Sequence, residues 1–124
     1  MNQVAFINQL RLTAKTLTPL TQSADAGAST WNGVEYVKSD KPIFPDPYAL
    51  SWQATLVAIA ELLEFQESSA TEKQIKYLER LLFGGMGSLN DLFFDPRSGG
   101  DIARVVNENL NKQRQALFFI FKNN

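Results

Sequence analysis

The stretch YALSWQATLVAIAELLEF, residues 48–65, holds no glycine or proline and only two charged side chains, Glu61 and Glu64. Wound as a helix, it places Leu50, Ala54, Val57 and Leu62 in nearly every direction around the axis. A helix that is apolar all round has to be covered by other elements, so this segment predicts a central, most buried helix. Glu61 and Glu64 mark its narrow wet side. The polar interruptions keep every apolar run below the 18 residues of a membrane span, and no charged leader with an apolar stretch opens the chain. A soluble, cytoplasmic protein is expected.

The rest of the chain supplies the cover. Residues 2–17 carry Val4, Ile7, Leu10, Ala14 and Leu17 at three-and-four spacing, one stripe of a first helix. Pro19 ends it. After ESSAT, with Ser69 or Thr71 as cap, TEKQIKYLERLLF places Ile75, Leu78 and Leu82 on one face and sets Glu72 four residues before Lys76. Gly84 and Gly85 are expected to stop that helix in the left-handed manner, with the positive φ held by Gly85 or Gly87. Ser88, three before Asp91, reads as the cap of a short apolar turn bearing Leu89, Leu92, Phe93 and Phe94. DPRSGGD reads as a turn, with Ser98 or Asp101 capping a last helix. Its stripe is Ile102, Val106, Leu110, Leu117 and Ile120, interrupted by Gln113. Its end, 117–121, is apolar all round and suits either core or partner.

Residues 20–48 break this pattern. TQSADAGAST is a polar loop, Val34, Tyr36 and Val37 beside Asn32-Gly33 suit a short strand, and prolines 42, 45 and 47 favour an extended path. A structureless connection this long is more often functional, or a wrongly assigned element, than idle. The fold expected is one all-α domain of four main helices, residues 1–124, with a long extended insertion between the first and second. For 13.9 kDa, folding hides about two-thirds of the chain's surface.

The chain has no cysteine and no histidine. That removes thiolate and imidazole nucleophiles, bases and metal ligands. Carboxylates are what remain. Glu61 and Glu64 share a helix face at i, i+3, but the histidine that completes a Glu-x-x-His site is missing. The Gly84–Ser88 run lacks the lysine and the preceding strand of a phosphate loop. Ser51, Thr71 and Ser88 have no histidine to activate them. The expectation is no catalysis, no metal and no cofactor. The aromatics are not interleaved with a basic stripe, so direct nucleic-acid binding is not expected either.

Charge is unevenly divided. Asp25, Glu35, Asp40, Asp46, Glu61, Glu64 and Glu67 face only Lys38 and Lys41 between positions 25 and 67, whereas residues from 68 onward are net positive. An acidic region carrying Trp31, Tyr36, Phe44 and Tyr48 suits capture of a basic protein by steering and apolar burial. Glu35, Tyr36, Asp40, Phe44, Asp46, Glu61 and Glu64 are the partner-binding candidates.

The segment GGMGSLNDLFF, residues 84–94, resembles the signature of a family of small bacterial proteins with a GGMGSLNDL-like motif between two helices. These are similar to immunity proteins of polymorphic-toxin and contact-dependent growth-inhibition systems. The resemblance, with the flanking helices, spans about a third of the chain, and residues 20–48 have no counterpart in it. It implies a cytoplasmic inhibitor, monomeric or weakly self-associating, that binds a cognate toxin domain. It also implies that Gly84, Gly85, Gly87, Ser88, Asn90 and Asp91 maintain the scaffold while partner contacts lie elsewhere. Two other readings stand beside it. One is a homo-oligomeric adaptor that buries the last helix; the other is a small carboxylate enzyme or metal protein using Glu61, Glu64 and Asp91.

Overall fold

The computed structural model describes residues 1–22, 29–31, 33–38 and 45–123, with only the backbone described for 29–31, 36–38, 98 and 99. The described residues form an all-α domain of four main helices: α1 (Gln3–Lys15), α2 (Pro47–Phe65), α3 (Glu72–Phe83) and α4 (Pro96–Lys122). Two short antiparallel strands, β1 (Ser29–Trp31) and β2 (Tyr36–Lys38), lie between α1 and α2, with Thr30 opposite Val37. Val34, expected in a strand, stands in the turn joining them. The chain after α1 is not extended at first. Thr18–Leu20 closes a 3₁₀ turn that buries Leu20, and the Asp46 amide returns to the Leu20 carbonyl at 2.8 Å.

Helix α1 packs against both α2 and α4. A helix covered on two sides needs a wider stripe than one seam, so Phe6, Leu10, Ala14 and Leu17 are buried and Val4, expected inside, is 70% exposed. Thr13 is also fully buried, its hydroxyl donating to the Gln9 carbonyl.

Helix α2 departs from its all-round reading. Leu56, Ala60 and Leu63 are buried, but Tyr48, Leu50, Leu62 and Phe65 are exposed. The domain has too few helices to surround α2, so one side of it stays open. That is the principal correction to the sequence reading.

Amide side chains set how the helices meet. Gln53 of α2 donates to the Ala14 carbonyl at the end of α1 (2.9 Å). Gln3 donates to the Leu63 carbonyl and accepts from the Ala70 amide, so it fastens the chain end of α2 to the loop beyond. Gln113, which interrupts the α4 stripe, accepts from Gln9 of α1 at 2.8 Å. The bonds from Gln53 and Gln3 satisfy carbonyls left open at the ends of α1 and α2, and each contributes about 1 kcal/mol.

Helix α3 opens on a capping box in which Thr71 accepts from the Gln74 amide and Gln74 accepts from the Thr71 amide. Of the two residues read as possible caps, Thr71 is the one used. Glu72 and Lys76 pair as expected, at 3.4 Å and in full exposure. Helix α4 begins earlier than expected. Asp95 caps it by accepting from the Arg97 amide, and hydrogen bonds from the Arg97 side chain hold the exposed Asp95 carboxyl below its ordinary pKa. The backbone then kinks at Gly100 (φ 61°, ψ −149°) before the long helical run.

Candidate binding surface at the glycine-rich loop

The loop between α3 and α4 is short of regular structure but dense in hydrogen bonds. Gly84 terminates α3 in extended geometry (φ −69°, ψ −162°), and the left-handed residue is Gly87 (φ 85°). The helix therefore does not stop in left-handed geometry at Gly84 or Gly85, and of Gly85 and Gly87 it is Gly87 that holds the expected positive φ. At Gly84 a Cβ would sit 2.3 Å from the Arg80 carbonyl oxygen, because the chain turns back across the last helical turn.

Ser88 does not cap the next turn with its side chain. Its hydroxyl donates back to the Gly84 carbonyl (2.9 Å), and the Gly87 amide donates to the Asp91 carboxylate (3.1 Å). Those two bonds close the loop from both ends. Leu89, fully buried, plugs it into the core at the start of the 3₁₀ turn Leu89–Asp91.

Helix α4 holds the outgoing strand of chain. Arg114 donates to the carbonyls of both Leu89 (3.1 Å) and Leu92 (2.8 Å), steadied by Asn111, which accepts from its Nε at 3.0 Å. One helical turn and more away, the Asn107 amide accepts from the Phe94 N–H (2.9 Å) and donates to the Phe94 carbonyl (2.7 Å). Partial burial lowers the Arg114 pKa from its ordinary value through desolvation, though a guanidinium stays charged regardless. Sequence reasoning missed these three side chains. The available signal was their placement at i, i+4 and i+7 within NENLNKQR, a polar row no solvent-facing requirement demanded.

A backbone pinned in this way displays what it does not bury. Met86 is 98% exposed at the loop tip and Phe93 67% exposed. Across from Phe93 stand Tyr48, also exposed, and half-buried Trp52 of α2, and together with Gly87 and Asp91 they line a cleft of about 360 Å³. Tyr48 is the one member of this cleft among the aromatics singled out from sequence.

The other candidates scatter. Glu35 is exposed in the turn before β2. Tyr36 lies in β2 opposite Trp31, its side chain outside the described residues, as are Asp40 and Phe44. Asp46 is occupied as the N-cap of α2, accepting from the Tyr48 and Ala49 amides. Glu64 forms an ion pair with Arg11 of α1, and Glu61 is exposed. Glu61 stands fifteen residues along α2 from Asp46, about 22 Å at 1.5 Å per residue, so the two ends do not form one acidic site. The same separation divides Glu61 and Glu64 from Asp91, which lies beside Tyr48. No group of three acidic side chains is placed to hold a metal ion among the described residues. None of the described helices is long and apolar enough to cross a membrane.

The three glycines make a direct test of the loop as scaffold. Gly84→Ala is expected to cost the most, because its contact is with backbone that cannot move aside. Gly87→Ala should cost about 1 kcal/mol from positive φ alone. Gly85→Ala, with open space around its Cβ position, should be tolerated. Melting temperatures of the three variants check this order. Equal losses at all three would mean the loop is held by something other than this geometry.

No family model matches the chain, and comparison with curated proteins and with solved structures yields no match.

Proposed function

We propose that this chain is a non-enzymatic immunity protein that binds and neutralises a cognate bacterial toxin domain, with a basic nuclease the partner its acidic region best suits. The observation that carries the reading is the cleft of Tyr48, Trp52 and Phe93, with exposed Met86 next in the chain to Gly87 of its lining. Exposed aromatics and methionine on a rigid backbone supply large contact area at small ordering cost, the usual make-up of a binding hot spot. The resemblance of residues 84–94 to the immunity signature gives the class of partner, but this reading departs from it in one respect: Gly87, Ser88 and Asp91 of the motif themselves line the binding cleft, where the resemblance implies contacts elsewhere. Steering by Glu35, Asp40 and Glu61 would hasten encounter with a cationic surface, an effect that salt weakens. Asp46 drops out of that set, since its carboxylate is engaged in starting α2. The reading includes a cytoplasmic location, where an inhibitor meets an incoming toxin domain.

The test uses the toxin domain encoded beside this protein's gene. Coexpression should rescue growth, and the purified pair should form a complex. Tyr48→Ala and Phe93→Ala should each raise the dissociation rate by about tenfold, the kinetic form of about 1.4 kcal/mol, with the melting temperature unchanged. Absence of rescue, or rates untouched by both changes, would overturn the assignment.

A second reading rests on Phe119, 67% exposed at the end of α4, which would suit burial against another copy. A mass that rises with concentration, and stops rising in Phe119→Ser, would favour it.

A further inference from the structure

The open side of α2 forms a groove with α3 of about 330 Å³, further along α2 than the aromatic cleft and sharing no lining residue with it. Its floor is Ile59, Leu63 and Leu78, all buried, and its walls are Leu62 and Tyr77, each 57% exposed. The wall on α3 is also charged. Lys73 and Arg80 line the groove on either side of Tyr77, four residues before it and three after.

Both cations are available to a partner. The carboxylates of α3 are already engaged, Glu72 with Lys76 and Glu79 with Lys122 of α4. Among the described residues neither Lys73 nor Arg80 forms an ion pair. An apolar trough with cations along one lip selects for acidic as well as apolar side chains.

We infer that this groove docks an amphipathic helix of a protein partner whose apolar stripe is bordered by carboxylates on the side facing α3. Helix-in-groove recognition seats apolar residues at i, i+3 or i+4 and i+7 and uses flanking charges for register. Lys73 and Arg80 are seven residues apart, about 10.5 Å along the axis, which matches carboxylates at i and i+7 of the incoming helix. Between them the partner's apolar side chain meets Tyr77 and Leu62. The inference does not depend on the toxin reading, since it concerns a separate stretch of α2, with α3 as its other wall, and the opposite charge.

The probe is a fluorescent helical peptide of about 18 residues, with leucines at three-and-four spacing and glutamates bordering that stripe, alongside a copy carrying lysines instead. The full chain should bind the glutamate peptide at least about tenfold more tightly than the lysine peptide, and less so as salt rises. The exposed double variant Lys73→Glu, Arg80→Glu should reverse that preference, and Leu62→Ala should weaken both peptides. Thermal melts confirm that each variant remains folded. Equal binding of the two peptides, binding of neither, or a preference unchanged by the double variant would overturn the inference. So would light scattering that shows a second copy of this chain lost on Leu62→Ala, or adsorption to phosphatidylserine vesicles in place of the glutamate peptide.

Discussion

Leu89→Ala is expected to lower stability by about 3 kcal/mol, which for a chain of this size shifts the melting temperature by roughly 10 °C. Leu89 is fully buried and begins the 3₁₀ turn of the glycine-rich loop. Its removal takes away the transfer free energy of the side chain and leaves a cavity that cannot readily collapse. The backbone on each side is tied down: the Leu89 and Leu92 carbonyls accept from Arg114, and the Asp91 carboxylate accepts from the Gly87 amide. Rigid surroundings keep the cavity open, so the cost includes a cavity term as well as the transfer term. Asn90→Ala, one residue on and exposed, should shift the melting temperature by no more than about 1 °C. Comparing the two variants by thermal denaturation separates a plugged loop from one held only by its surface. A loss below about 1 kcal/mol at Leu89 would rule out the plug.

Phe121→Ala should cost about 4 kcal/mol, whereas Phe119→Ala, two residues earlier, should be nearly neutral in the free protein. Phe121 is the ring on which three helices converge. Its centroid lies 5.7 Å from that of Phe6 on α1 and 5.2 Å from that of Phe83 on α3, both in tilted contact. Lys122 sits 5.8 Å from the ring centre while reaching Glu79 of α3 at 3.2 Å, which adds a smaller, partly solvated contribution. Denaturant titration of both variants gives the comparison directly. If Phe119→Ala proved the more damaging, the side of α4 that faces the core would be assigned wrongly.

Those two residues also show where the sequence was and was not legible. Strong periodicity with a break on each side located α1 and α3 to within a residue or two, because Pro19, Thr71 and the glycine run act through local chain geometry alone. The short helical turn ahead of the Gly100 break was missed, since Asp95-Pro96 is itself a cap followed by a favourable first helical residue, and the DPRSGGD composition hid it; the long run of α4 follows Gly100, close to where it was expected. At the end of α4, where Leu117 to Phe121 are apolar in every direction, periodicity cannot choose a face. Contacts with α1 and α3 chose Leu117 and Phe121 for the core and left Phe118 and Phe119 outside. The candidate acidic site fared least well. Asp46 and Glu64 were engaged by a helix start and by Arg11, partners that net charge along the chain does not reveal.

The sequence by itself determined the helical class, the main breaks and the absence of thiol and imidazole chemistry, because propensity, proline geometry and composition act over a few residues or none. Only the tertiary structure decided which apolar faces stay in water. Burial of α2 depends on how many neighbours reach it, and four helices leave Leu62 and Phe65 uncovered although their local pattern matches that of Leu56 and Leu63. The polar row Asn107, Asn111 and Arg114 was likewise settled in three dimensions, where α4 passes close enough to the non-helical backbone of residues 89–94 to bond the Leu89, Leu92 and Phe94 carbonyls and the Phe94 amide.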